Sequence, residues 1–258
     1  MSLRANSFRL RELRERIKPF RLHFFPWIGS TNDHAVALRK RGDLFAPAIV
    51  LTGNQTAGRG RGSNTWWSGR GSLTVTFVLA ADERIEPHQL PLLAGLAVRN
   101  AAAELTKGAD VQLKWPNDVL YEDKKLAGLL CERVRGADLV GVGLNVNIER
   151  KRIPRSLRGR IVSLSQICGR TLDMTHTLSI VAGHLRAMLR QATEHPFATI
   201  LHEYDSHHAL IGRRICVTVS PEEPPLCGRC EGLDRVGRLL VRAGGKGHTV
   251  ISGTVQTQ

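Results

Sequence analysis

The chain has 258 residues, 42% of them apolar and 23% charged, with 37 Lys plus Arg against 23 Asp plus Glu and a formal charge of +14. This composition is globular and excludes disordered, fibrous and collagen-like chains, and the length suits one large or two unequal domains of ~100 to 200 residues whose cores sustain themselves by burial. The richest apolar run, Leu92 to Val98, is far shorter than the ~18 residues of a membrane span, so no membrane partner is expected.

The N-terminus carries Arg4, Arg9, Arg11, Arg14 and Arg16 but no apolar stretch, and Glu12 and Glu15 argue against an acid-poor transit peptide. Residues 1–20 read as a short basic helix with Leu10, Leu13 and Ile17 on one face. A strand is predicted over 23–28, and the Ser30-Thr31-Asn32-Asp33 run supplies N-caps for a helix to about Lys40. After an apolar strand over 47–52, residues 53–71 hold six glycines, three arginines and two tryptophans without periodicity, which marks a functional loop. Leu73, Val75, Phe77 and Leu79 alternate as a strand, and Leu90, Leu93, Ala97, Ala101 and Leu105 form one helical stripe.

Short strands follow over 111–115, 119–121, 126–134 and 139–146, broken by Pro116-Asn117 and by the turn Glu122-Asp123-Lys124. Residues 150–160 read as a solvated basic connector, with carrier docking as the minor reading, 162–168 as a short helix and 177–194 as a longer one, while 202–208 is a polar stretch whose histidines face water. From Ile211 onward, strands over 214–219, 230–234, 239–243 and 249–255 suggest a small β-barrel. The whole is therefore an α+β fold: a mixed-sheet catalytic domain packed with helices over 1–209, then a small C-terminal β-barrel over 210–258.

Two segments concentrate the chemistry. In Gln55-Thr56-Ala57-Gly58-Arg59-Gly60-Arg61-Gly62, glycines let backbone N–H groups close around an anion while two arginines offer forked donors matched to phosphate. It is neither a Walker A loop nor a dinucleotide fingerprint, and Gly244-Gly245-Lys246-Gly247, followed by His248, is no P-loop either. A nonspecific RNA-touching Arg-Gly loop is the plainer alternative. The second segment, Lys114 to Asp118 with Lys125 to Gly128, places a carboxylate and an ammonium close together across a tight turn, for a metal, an amine or an anion, or as a simple surface ion pair. Gly141 to Asn147 adds a glycine-rich strand end.

The five cysteines, Cys131, Cys168, Cys216, Cys227 and Cys230, are odd in number and scattered, and read as free thiols in a reducing compartment, the cytoplasm by default. Cys227-Gly228-Arg229-Cys230 lacks the second pair of a zinc site. Trp27 and Trp67 are assigned to packing.

Together, Ser30-Thr31-Asn32, the Gln55 to Trp66 loop, Lys114 to Asp118, Lys125 to Gly128 and Gly141 to Asn145 resemble biotin protein ligases, from about Phe24 onward and in family order. Where Gly62-Ser63-Asn64 stands here, the family often has another basic residue. The resemblance implies ATP and biotin as substrates, Mg2+, and transfer to a lysine of the biotin carboxyl carrier domain of a biotin-dependent carboxylase, carrier domains of this family tending to be acidic. It implies that Arg59 and Arg61 hold phosphate, that Lys125 bridges the biotin carboxyl and the α-phosphate, and that Asp118 binds the metal or orients the incoming lysine. Ser30, Thr31, Asn32, Gln55 and the backbone at Gly58 and Gly60 are the ligand-facing polar groups. Trp66 walls the site as the loop orders over the adenylate, Asn117 and Asn145 reach the nucleotide, and Gly128 and Gly143 line the pocket.

A lipoate or octanoate ligase of the same superfamily is the nearest rival, and the loop with its following tryptophan favours biotin. The +14 charge suggests a nucleic-acid-binding protein as a rival of another class. About twenty residues precede the catalytic pattern, too few for a winged helix-turn-helix, so no sequence-specific DNA binding is expected. A homodimer is compatible with all of this.

Overall fold

The computed structural model describes residues 7–258; Arg4 and the start of the expected basic helix fall outside the described residues. The helix itself is α1 (Leu10–Arg16), which buries Leu13. The chain then builds a seven-stranded mixed sheet from β1 (Arg21–Ile28), β2 (Ala48–Gln55), β3 (Ser72–Ala80), β4 (Gln112–Lys114), β5 (Asp118–Tyr121), β6 (Lys124–Val134) and β7 (Ala137–Asn145). Their order is β1-β2-β3-β7-β6-β5-β4. Only β1 and β2 run parallel, joined by the crossover helix α2 (Thr31–Arg41); the other pairings are antiparallel.

Both faces of the sheet are covered, which explains the unbroken apolar run in β2. Ile49 and Leu51 face a large core under α3 (Leu90–Leu105) and α5 (Met174–Glu194), while Ala48 and Val50 face a smaller one with Ala35 of α2. On β3 the large-core positions are Leu73, Val75 and Phe77, as the alternation predicts. Thr74 and Thr76 between them are buried too. Helix α2 roofs that face, so the polar half of the alternation meets side chains instead of water.

Helix α4 (Leu164–Cys168) starts with a capping box of Ser163 and Gln166. Helix α6 (Phe197–Ser206) was not anticipated. Ile200, Leu201 and Tyr204 form its buried stripe, and the mixed residues around them hide that spacing. The following histidines are not solvent-facing as expected: His207 is half-buried, and His208 is buried against the Tyr204 ring, 5.3 Å between centroids. Backbone bonds from Leu113 to His207 and from Ala209 to Leu113, each 2.8 Å, bring this segment along the outer edge of β4.

The last part of the chain forms β8 (Arg214–Thr218), β9 (Leu226–Leu233), β10 (Leu239–Ala243), β11 (Lys246–Val250) and β12 (Thr254–Thr257). The expected strand over 249–255 is split by the turn at 251–253. The strands pair antiparallel in the order β11-β10-β9-β8-β12, an open sheet with β11 and β12 as its edges. Gly244 and Gly245 form the β10–β11 turn, both at positive φ. Ile215, Val217, Leu239 and Val241 join the large core, and Trp115 Nε1 donates to Gly237 O at 3.3 Å, tying the two sheets together.

The reading of all five cysteines as free is corrected: Cys216 and Cys227 form a disulfide. Register is the physical reason, since β9 begins at Leu226 and sets Cys227 directly across from Cys216 of β8. Cys131, Cys168 and Cys230 are free. Trp27 is 73% exposed and so does not pack as assigned. No helix among the described residues is long and apolar enough to cross a membrane.

Trp115 is fully buried between the sheets. Trp115→Ala is expected to lower unfolding free energy by about 3–5 kcal/mol, read from denaturant titration, as for other large-to-small core truncations.

Candidate active site

A cleft of about 1390 Å³ opens over one face of the large sheet. The 56–71 loop, the β4–β5–β6 hairpins and the end of β7 supply most of it, and residues 154–161 and the ends of β8 and β12 complete it.

The entry to α2 sets its first wall. Ser30 caps the helix by accepting from Asp33 N at 3.4 Å, and Thr31 donates from both N and Oγ1 to Gln55 Oε1, at 2.7 and 3.0 Å. Gln55 is thereby oriented, and Gly58 beside it is required: a Cβ there would collide with the Trp66 carbonyl and come within 2.8 Å of Gln55 Nε2.

Asn32, expected among the ligand-facing groups, is 3% exposed and fully engaged. Its Oδ1 accepts from Thr76 Oγ1 at 2.6 Å, and its Nδ2 donates to Leu130 O at 3.1 Å and Glu132 Oε2 at 2.7 Å. Glu132 in turn holds Arg59 Nη2 at 2.8 Å, and Asp33 takes Nη1. A hydrogen-bonded line thus runs from the buried sheet through Thr76, Asn32 and Glu132 to Arg59. These two carboxylates, Glu132 foremost, raise the Arg59 pKa above its ordinary value. Asn32 is a post that fixes the arginine.

The rest of the loop is a small hairpin: Trp66 N donates to Gly58 O at 2.9 Å and Gly60 N to Asn64 O at 2.8 Å. Arg61 crosses to the second sheet, donating from Nη2 to Gly253 O at 3.1 Å. Burial lowers its pKa, with Asp118 opposing.

Lys125 occupies the centre. Its ammonium lies 2.6 Å from Asp118 Oδ1 and 5.9 Å from the Trp66 ring centroid, an ion pair with a cation–π contact. Its backbone is held by Lys125 N to Arg160 O at 2.8 Å, Val162 N to Lys125 O at 3.1 Å, and Asn145 Nδ2 to the same carbonyl at 3.2 Å. Asn117 brackets the neighbouring strand, donating to Leu129 O at 2.8 Å while its carbonyl accepts from Leu129 N at 2.9 Å. Both asparagines spend amide donors on positioning strands, and both line the cleft.

Gly128 and Gly143 face each other across β6 and β7 and make a flat floor. A Cβ on Gly143 would enter the Trp66 ring, and one on Gly128 would lie 2.9 Å from Lys125 Cε. Trp66 Nε1 is buried and meets no acceptor among the described residues, the kind of donor a ligand oxygen satisfies.

Lys114 is a cleft residue to which its motif alone gives no role. It stands opposite Asp118 in the β4–β5 register and lines the cleft. Burial lowers its pKa, with Asp118 opposing. The hairpin register is the signal that could have found it. Arg160 also lines the cleft, and nothing in the sequence marks the backbone bridge that brings it there.

The cleft-lining carboxylates are Asp118 and Asp123, the latter 2.7 Å from Arg213. Each is therefore ion-paired, and no group of three metal-ligating side chains occurs among the described residues. The Mg2+ expected on Asp118 has no protein cage here; Mg2+ that keeps its waters and rides on substrate phosphates suits such a cleft.

Residues 24–149 match the Biotin/lipoate A/B protein ligase family. The chain is 31% identical over 235 residues to the biotin--[acetyl-CoA-carboxylase] ligase of Mycobacterium tuberculosis, covering 88% of this chain and 85% of that one. It is 31% identical over 201 residues to the bifunctional ligase/repressor BirA of Bacillus subtilis, covering 75% of this chain but only 61% of the relative's length. The biotin protein ligase of Aquifex aeolicus in complex with biotin and ATP superimposes with a TM-score of 0.82 at 28% identity, over 92% of this chain and 99% of that one.

The glycine floor gives a direct test. Gly143→Ala is expected to displace the Trp66 indole, read as a change in acrylamide quenching of tryptophan fluorescence that is lost in a Trp66→Phe background.

Proposed function

The chain belongs to the biotin protein ligase family, and on that premise we propose that it joins biotin to ATP and then passes the biotinyl group to a protein lysine. A carboxylate oxygen of biotin attacks the α-phosphorus, and pyrophosphate leaves to give biotinyl-5'-AMP. The amine of an acceptor lysine then attacks the acyl carbon, AMP leaves with the bonding electrons, and an amide forms. The acceptor we assign is the carrier domain of a biotin-dependent carboxylase, in the cytoplasm, where ATP is supplied. The catalytic part is taken as 1–209 and the C-terminal part as 210–258.

The observation that carries this reading is the gathering of Arg61, Lys114 and Lys125 on one cleft around Trp66. Both reactants of the first step are anions. Two unit charges ~4 Å apart interact by ~4 kcal/mol at an effective dielectric of 20, so cations are needed before they can meet. Lys125 is assigned the bridge between carboxylate and α-phosphate, with Lys114 and Arg61 on the phosphates and Arg59 at the rim. Asp118 holds the Lys125 ammonium and, in the second step, offers a carboxylate to the entering lysine. Trp66 covers the glycine floor and excludes water from the mixed anhydride, and its indole N–H is free to meet a ligand oxygen.

ATP–pyrophosphate exchange with biotin, lipoate and octanoate in parallel tests the substrate: exchange is expected with biotin, and exchange with lipoate alone would overturn the assignment. Lys125→Ala is expected to slow single-turnover adenylate formation by roughly 10²- to 10³-fold, as for loss of one preorganised donor. Lys124→Ala, at the start of β6 and paired with Glu122 at 3.5 Å, should change little. Lys125→Arg should not restore the rate, because a planar fork does not replace a point charge of that reach. Equal rates for the two alanine variants would remove Lys125 from the mechanism.

A further inference from the structure

Residues 149–160 carry six cations, Arg150, Lys151, Arg152, Arg155, Arg158 and Arg160, against the one carboxylate of Glu149, a net of +5 within the chain's +14. Glu149 engages Lys151 and Arg152, at 3.4 and 3.2 Å. Among the described residues, the other four meet no carboxylate at ion-pair distance. The segment is solvent-exposed, as its sequence suggests, but it is not shapeless. It folds as two 3-10 turns, Arg150–Arg152 and Arg155–Leu157, around buried Ile153, whose carbonyl accepts from Arg158 Nε at 3.2 Å. It ends on the hydrogen bond from Lys125 N to Arg160 O. Pro154, Ser156, Leu157, Gly159 and Arg160 line the cleft, so the segment forms a ledge along its edge, joined to the backbone of the central lysine, with the other cations on the turns beside it. The C-terminal part contributes two exposed apolar side chains: Val219, which lines the cleft, and Ile251, two residues before the cleft-lining Gly253, 55% and 56% exposed.

We propose that this ledge, with Val219 and Ile251, is the docking surface for a carboxylate-rich acceptor domain. The inference rests on the ligase reading given above and deepens it. An acceptor lysine is itself a cation, so approach to a mouth of net +5 is repulsive unless the domain carrying it brings negative charge. Acidic residues flanking the lysine would turn that repulsion into attraction and steer the encounter. The ligase reading puts the small anionic substrates against Arg61, Lys114 and Lys125, which line the cleft, and one small anion cannot span cations spread over twelve residues. Val219 and Ile251 suit an apolar spot on a folded protein and offer neither charge nor a ring to a nucleic acid.

The test separates the half-reactions. In the quadruple variant Arg150→Ser/Lys151→Ser/Arg152→Ser/Arg155→Ser, the cleft side chains and the Arg160 bridge stay in place, and a melting curve checks the fold. Preformed biotinyl-adenylate is reacted with a recombinant carrier domain of a bacterial acetyl-CoA carboxylase, and separately with hydroxylamine. The kcat/KM toward the carrier should fall about 10- to 10²-fold at low salt and converge with the parent as the Debye length drops below ~10 Å. Adenylate formation and capture by hydroxylamine should be unchanged.

Carrier transfer that stays at the parent rate would overturn the proposal. A raised KM for ATP would instead give the ledge to the nucleotide, and loss of RNA or DNA retention with normal transfer would make it a nucleic-acid face. If the parent forms no adenylate, the ligase reading falls, and binding of the carrier domain to parent and quadruple variant, measured directly, then decides the docking surface. Equal affinity would reject it.

Discussion

Holding several cations in one partly buried cleft before any anion arrives is the constraint on which the site depends. Each loses hydration there and each repels the others. Asp118 is the counter-ion that makes the cluster tolerable, contacting Lys125 and facing Lys114 across the β4–β5 hairpin. Arg59 is kept apart by its own carboxylates, Asp33 and Glu132. A phosphate entering the cleft therefore competes with carboxylates already in place, and its advantage is the larger charge and the several oxygens that it presents at once. The arrangement is preorganised, since the donors are positioned by strands and brackets before the ligand supplies the charge.

Positioning is done mostly by groups that spend their hydrogen bonds on the protein itself. Asn145 and the Arg160 carbonyl fix the backbone of Lys125, Asn117 clips β5 to β6, and Thr76 with Asn32 carries Glu132 to Arg59. Glycines finish the task by omission. Gly141 leaves room for the Asn32 amide, as Gly143 does for Trp66 and Gly128 for the lysine stem. They fall at alternate positions on one face of paired strands, so what the sequence shows as a glycine-rich strand end is a smooth surface in the sheet.

What could be read from the sequence divides along the range of the interactions. The Gly-Arg-Gly-Arg loop, the Lys114 to Asp118 hairpin and the large-core stripes are local patterns, and they were legible. The role of Asn32 was not, because its partners Thr76, Leu130 and Glu132 are distant in sequence and no spacing announces them. The Cys216–Cys227 bond depends on where β9 starts, and a start at Cys230 in place of Leu226 hides it. Helix α6 was missed because its buried stripe is narrow and interrupted by polar residues. The buried His208 followed from that miss.

The contact between Arg61 and Gly253 joins positions 192 residues apart. A ribosome adds residues in order, so the arginine loop is made long before the carbonyl that receives it. During that interval the loop and the neighbouring basic segments are present in a growing chain whose second sheet does not yet exist. Maturation of the cleft is thus a late event in synthesis, set by the arrival of the β11–β12 turn.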